Sequence, residues 1–256
     1  MLKRRTDLAV EATQLWQEQA GETTQLRGVQ ARDSVREGYK VTTVRILDES
    51  GAQALGKPVG TYITVELDGL LRREEDAFPR AARALAAELR GLLDLKEGDA
   101  VLVAGLGNRA ITPDGIGPKA ADYTLVTRHL VEQVPEQFGA FRPVSALAAG
   151  VLGTTGMESG ELISAVVEKT RPACVLAVDA LASRSLRRVG RTVQLSDTGI
   201  VPGSGVGNHR MALNRETLGV PVIAIGVPTV VDAATLACDL LSEAGREDLD
   251  PAALSG

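Results

Sequence analysis

Aromatic residues are scarce in this 256-residue chain, with one Trp, three Tyr and three Phe, so it has few rings on which single-stranded nucleic acid could stack. Cysteine is scarcer still. Cys174 and Cys238 sit in apolar runs with no C-x-x-C partner, which argues against a disulfide framework or a redox pair and for two small buried hydrophobes. There are only two histidines, His129 and His209, 80 positions apart, and that is no metal-ligand spacing. No run of 18 apolar residues occurs, and Thr6, Asp7 and Glu11 interrupt the N-terminus before any signal-like apolar stretch, so a cytoplasmic protein that does not enter the membrane is expected. Nor is there an excess of basic charge. At a net charge of −5 the chain as a whole is no partner for a nucleic-acid polyanion, although Arg184, Arg187, Arg188 and Arg191 make a local basic patch.

What the chain has in quantity is small apolar residues and 27 glycines, the composition of a tightly turned α/β core. The first thirty residues are polar, and Arg5 to Glu11 reads as an extended arm or short edge strand. Residues 40–47 and 61–67 are β-rich, and in the second Ile63, Val65 and Leu67 alternate with polar neighbours, as in a half-solvated strand. Residues 76–93 repeat leucine at helical intervals. Short runs apolar on both faces follow at 100–104, 174–178 and 220–225, with further strands at 142–149 and 191–195. Helices are expected over 119–134, after Gly153-Thr-Thr-Gly-Met-Glu158, where Thr155 and Glu158 have capping-box spacing, and over 230–241. The predicted fold is α/β: a mostly parallel sheet with helices on both faces, plus a small β-containing N-terminal or inserted lobe. Residues 1–256 read as one domain, with arm and β-rich lobe in 1–75 and the main core in 76–245.

Gly105-Leu-Gly107-Asn-Arg-Ala110 matches a dinucleotide fingerprint in letters alone, because Thr112-Pro113 imposes a turn where that motif needs a helix. No cofactor is expected. The same loop presents Asn108 and Asp114 at the carboxyl end of a strand, the edge where open α/β sheets bind ligands, and Asp179 ends the run 174–178. If those strands are neighbours, the two acids face one crevice. Two carboxylates about 4 Å apart at an effective dielectric near 20 repel by about 4 kcal/mol, or roughly 3 pKa units, so one proton stays on the pair near neutrality. One member can then activate water while the other donates to a peptide carbonyl. Asp is equally at home capping a helix or anchoring a loop, so catalysis and structure both stand open here. Gly203-Ser-Gly-Val-Gly207-Asn-His209 reads as an anion nest, a substrate loop or a plain turn. A carboxylate-held metal ion remains a rival chemistry.

Nine segments, taken together and in order, resemble the germination protease family, the endopeptidases of spore-forming bacteria that degrade small acid-soluble spore proteins. They are Arg5-Thr-Asp-Leu-Ala-Val-Glu11, Gly105-Leu-Gly-Asn108, Thr112-Pro-Asp-Gly-Ile-Gly-Pro118, Leu125-Val-Thr-Arg-His129, Arg142-Pro-Val-Ser145, Ala177-Val-Asp-Ala-Leu-Ala-Ser-Arg184, Ser196-Asp-Thr-Gly-Ile200, Pro202-Gly-Ser-Gly-Val-Gly-Asn208 and residues 219–233. The resemblance implies a fold akin to the hydrogenase-maturation endopeptidases, a homotetramer in the spore core, and an atypical aspartic peptidase whose catalytic pair falls on Asp114 and Asp179. It also implies a zymogen, with a propeptide upstream of a segment that Met1–Arg4 alone precede here. Small acid-soluble spore proteins are the expected substrate, cut beside acidic residues, with no direct contact to nucleic acid. Asn108, Ser183, Arg184 and His209 are candidate substrate-binding residues, and Arg184, Arg187 or Arg188 a candidate counter-charge. The metal-dependent maturation proteases and a non-catalytic protein-binding scaffold are the alternatives.

Overall fold

The computed structural model describes residues 6–20, 26–203, 210–231, 233, 236 and 237. Eight strands carry the fold: β1 (Val29–Arg36), β2 (Tyr39–Ile46), β3 (Gly60–Glu66), β4 (Val101–Leu106), β5 (Val144–Gly150), β6 (Cys174–Ser183), β7 (Thr192–Ser196) and β8 (Val222–Val231). They join in one sheet of order β1-β2-β3-β7-β8-β6-β4-β5.

This corrects the predicted architecture. Only β4/β5, β4/β6 and β6/β8 pair parallel, whereas β1/β2, β2/β3, β3/β7 and β7/β8 pair antiparallel, so the sheet is mixed and mostly antiparallel. Runs that are apolar on both faces do form the parallel strands, but the connections decide the rest. Glu37 and Gly38, both with positive φ, close β1 onto β2 as a two-residue hairpin turn of the primed type. Between β6 and β7 only residues 184–191 intervene, too few for a helical crossover, and β7 therefore runs antiparallel to β8. Nor do β1 to β3 stand apart as a lobe, because β3 pairs with β7 and so extends the same sheet.

Register divides the side chains into two layers. Val44, Tyr62, Ser196, Ala224, Ala177, Ala104 and Leu147 stand across from one another in one row. On that face the helix Ser159–Thr170 buries Ile163 and Val167 against Leu102, Val175 and Val222, and the helix Ala9–Ala20 packs Ala9 and Ala12 on Val44, Ile46 and Tyr62. The opposite face carries Ile63, Val65, Val193 and Leu195 under the helix Ala77–Leu92, whose Ala81, Ala84, Leu85 and Leu89 follow the expected 3.6-residue stripe.

Several local expectations change. The N-terminal segment is the helix Ala9–Ala20 and not an arm or edge strand, because its apolar face meets side chains from β2 and β3. The stretch 119–134 is two helices, Ile116–Tyr123 and Arg128–Gln133. Thr127 interrupts it by giving its N–H to Val144 O while its hydroxyl accepts from Val144 N, so the chain is stitched to the sheet edge. The capping residue of the helix Ser159–Thr170 is Glu158, whose N–H reaches the Glu161 carboxylate, three residues beyond the expected Thr155. β6 runs on to Ser183 instead of ending at Val178, and Val230 and Val231 belong to β8; most of the expected helix 230–241 lies outside the described residues.

The helix Ile116–Tyr123 sits tight on the sheet. A Cβ on Gly117 would lie 2.2 Å from Leu106 O and 2.4 Å from Val178 O, so only glycine lets this helix start against β4 and β6 at once. Gly117→Ala should destabilise the fold by on the order of 3 kcal/mol in urea unfolding, since two strand backbones must move. A wild-type unfolding midpoint would contradict this packing.

Candidate active site at the carboxyl end of β4

Past Leu106 the chain must turn within a few residues to reach the helix Ile116–Tyr123. Gly107 adopts φ +107, and a Cβ there would lie 2.1 Å from Asp114 O and 2.8 Å from Asp114 Oδ1. The Asp114 carboxyl group thus rests on bare backbone. Thr112–Asp114 forms a single 3-10 turn, which satisfies the turn geometry that Pro113 demands. Asn108 N donates to Asp114 Oδ2 at 2.7 Å, and Asn108 Oδ1 accepts from Ala110 N at 2.9 Å. Asn108 therefore closes the loop and orients Asp114, while its own amide oxygen is taken up by the turn.

Asp179 is the first residue of β6 beyond its pairing with β4, which ends at Gly105 opposite Val178. It is 6% exposed, and its Oδ1 accepts from Ala180 N at 2.8 Å. Burial pushes its pKa up to about 7; the Ala180 N–H and Arg210 pull it down, and the charges of Asp114 and Asp7 push it further up. Asp114 and Asp179 are thus electrostatically linked, and Asp179 is about half protonated at neutral pH.

Register sets Asp179 in a row of side chains that crosses the sheet through Gly226, Gln194, Thr64 and Thr42, with every polar member buried. The N-terminal segment lies over this row. Gln194 accepts from Ala9 N at 2.8 Å and donates to Asp7 O at 3.1 Å, while Asp7 N donates to Ala182 O and Asp7 Oδ2 accepts from Ala182 N, both at 2.8 Å. Glu11, 2% exposed, accepts from Arg184 N and Ser185 N and pairs with Arg188. Sequence reading passed over Asp7, Arg210 and Gln194. The signal for Asp7 and Glu11 was present as two acids inside an otherwise apolar Leu-Ala-Val segment.

The other expected residues fall elsewhere. Ser183 is fully buried with its hydroxyl on Ser185 O, and at about 3.3 Å per residue it stands about 13 Å along β6 from Asp179. The Arg184 guanidinium donates to Glu18 at 2.9 and 3.1 Å. His209, and with it most of the glycine-rich segment 203–209, lies outside the described residues, as does Cys238. His129 is exposed on the helix Arg128–Gln133. Burial raises the Cys174 thiol to about 11, so it holds its proton at neutral pH and is no nucleophile. Among the described residues no group of three or more His, Cys, Asp and Glu side chains converges to hold a metal ion, and no helix is long and apolar enough to cross a membrane.

A family model described as germination protease matches residues 9–247. The germination protease of Caldanaerobacter subterraneus subsp. tengcongensis is 51% identical over 244 residues, spanning 95% of this chain and 74% of that one. Those of Clostridium perfringens and Bacillus cytotoxicus are 49% and 47% identical, over 94% and 95% of this chain and 74% and 68% of theirs.

The raised pKa makes Asp179 a stability sensor. The native state keeps its proton up to about pH 7, whereas the unfolded chain releases it near 3.8, so between these values the native state binds more protons and stability falls as pH rises. Above the window the penalty is constant, at most on the order of 4 kcal/mol. Asp179→Asn should therefore melt above wild type at pH 8, and the gap should close towards pH 4. A gap that does not change with pH would contradict the buried, protonated carboxyl group.

Proposed function

Because the chain belongs to the germination protease family, and so to the endopeptidases that degrade small acid-soluble spore proteins, we propose that it cuts peptide bonds with Asp114 and Asp179 as its two acid–base groups. The observation that carries this reading is the placement of Asp179, 6% exposed at the end of the β4 pairing, where burial and the charge of Asp114 push its pKa up to about 7. At neutral pH one carboxyl group can therefore donate a proton while the other accepts one.

The cycle balances with these two groups alone. Asp114, whose Oδ2 is held by Asn108 N, takes a proton from the attacking water as its oxygen bonds to the scissile carbonyl carbon. Asp179 gives its proton to the carbonyl oxygen, and a tetrahedral diol forms. When the C–N bond breaks, the proton on Asp114 passes to the departing amine and a diol proton returns to Asp179, which restores both groups. The separation of roles follows their surroundings: Asp179 is buried and retains a proton, and Asp114 is half-buried and sits on a backbone N–H.

A metal-dependent route finds no three-ligand cluster among the described residues. A scaffold in which both acids are structural leaves unexplained why a buried carboxyl group stands where an apolar side chain would be more stable. We further propose assembly as a homotetramer in the cytoplasm of the spore, checked by sedimentation of the purified chain.

Cleavage of a purified small acid-soluble spore protein tests the mechanism. Asp114→Asn and Asp179→Asn should each fold and lose about 10²- to 10⁴-fold in kcat, a strong chelator should leave the wild type unchanged, and kcat should fall above pH 7 as Asp179 loses its proton. Chelator-sensitive cutting, or full activity in either variant, would contradict it.

A further inference from the structure

Arg210 stands beside the acid pair, and the acid–base chemistry makes no use of it. Its position follows from the residues that come after it. Leu213 is fully buried and exchanges two backbone hydrogen bonds with Ile200, Ile200 N to Leu213 O at 2.9 Å and Leu213 N to Ile200 O at 2.8 Å, which anchors the chain on the core. Ala212 and Asn214 line a cavity of about 200 Å³ together with Gly226, the residue directly across from Asp179 in the sheet. Met211 packs so closely on Gly160 that a Cβ there would lie 2.8 Å from Met211 Sδ, and the neighbouring Ser159 hydroxyl donates to Gly150 O, at the end of β5, at 2.8 Å. Met211 and Ala212 thus pin Arg210 between the carboxyl end of β5 and the flank of Asp179, on the edge from which both acids project.

Resting on the assignment of Asp114 and Asp179, we propose that Arg210 is a third catalytic residue, whose guanidinium donates hydrogen bonds to the oxygen of the scissile carbonyl and holds the charge that builds there as water attacks. The side chain is half-buried, and among the described residues it makes no hydrogen bond and no ion pair. The other cations around the site are engaged. Arg109 is on Asp122, Arg188 is on Glu11 and Glu66, and the Lys57 ammonium is on Asp7 O. A guanidinium carries five N–H donors in a planar fork, and withdrawing it from water without a partner is costly unless a ligand takes it up.

The charge of Arg210 reaches Asp179, yet the two form no ion pair. The space left between them suits a carbonyl oxygen, which can take the proton of Asp179 from one side and N–H groups of Arg210 from the other. The step balances with no transfer from the arginine. Water's oxygen bonds to the carbonyl carbon as Asp114 takes its proton, the π electrons of the C=O bond move onto the oxygen, and that oxygen receives the Asp179 proton while Arg210 keeps all of its own. Because these hydrogen bonds strengthen as charge develops, the arginine stabilises the transition state more than the bound substrate.

Steady-state cleavage of a purified small acid-soluble spore protein tests this, with the fold of each variant checked by urea unfolding. Arg210→Ala should lose about 10²- to 10³-fold in kcat with KM within about threefold of wild type, Arg210→Lys should recover about tenfold of that loss, and added methylguanidinium should restore part of the Arg210→Ala rate while leaving the wild type unchanged. The fall in kcat above pH 7 should move to higher pH in Arg210→Ala, because the cation that favours the Asp179 carboxylate is gone; a side chain that serves only the fold would not move it. A kcat within about threefold of wild type, a loss carried by KM alone, or a loss confined to substrates with an acidic residue beside the cut would overturn the proposal. The two assignments fail separately. Full activity in Asp179→Asn with kcat lost in Arg210→Ala leaves the arginine standing and removes the acid pair, and inactive aspartate variants beside a fully active Arg210→Ala do the reverse.

Discussion

Withdrawal of the Asp179 carboxyl group from water is the constraint on which the site depends. A carboxylate at the centre of an apolar sheet is costly, and the protein meets the cost by leaving a proton on it up to about pH 7. Where β4 stops, β6 continues, and the first unpaired position on that side is Asp179. The loop after β4 brings Asp114 back towards the same edge because Gly107 and Gly117 have no side chains to hold it off. Backbone, and not a hydrogen-bonded network of side chains, therefore sets the arrangement.

Around this centre the sheet serves two purposes. Its parallel part, β5, β4, β6 and β8, provides the carboxyl edge from which the acids project. Its antiparallel part, β1, β2, β3 and β7, carries the polar row from Thr42 to Gln194 and the walls of the cavity beside Asp179. The N-terminal segment locks the two together. Asp7 bonds to β6 through Ala182 and receives both Gln194 of β7 and Lys57, while Glu11 holds the turn after β6 through Arg184 N and Ser185 N. One short stretch of chain thereby ties together β6, β7 and the turn after β6.

Much of this was legible along the chain, for reasons particular residues make plain. Leu85, Leu89 and Leu92 keep one face of the helix Ala77–Leu92 over about two turns, and the runs 101–106 and 174–178 carry no polar residue, so their elements follow from the pattern. Asp114 and Asp179 stood out because each follows such a run. Strand direction was not legible, since no residue of Thr192-Val-Gln-Leu-Ser196 marks it and the length of the chain before it decides. Nor was it visible that Lys57 and Gln194 hold the N-terminal segment. Their contacts reach Asp7 across 50 and 187 positions, a relation that no local pattern encodes. A lysine just past a helix and a glutamine in a strand look like ordinary surface residues until the sheet closes over them.

Titration of Asp179 itself probes the central claim most directly. In a ¹³C-aspartate-labelled sample, with the resonance assigned by its loss in Asp179→Asn, the side-chain carboxyl signal of wild type should titrate with a midpoint near pH 7, and Asp114→Asn should move that midpoint down. A midpoint near 4, or one indifferent to Asp114, would contradict a buried carboxyl group that keeps its proton beside a charged neighbour.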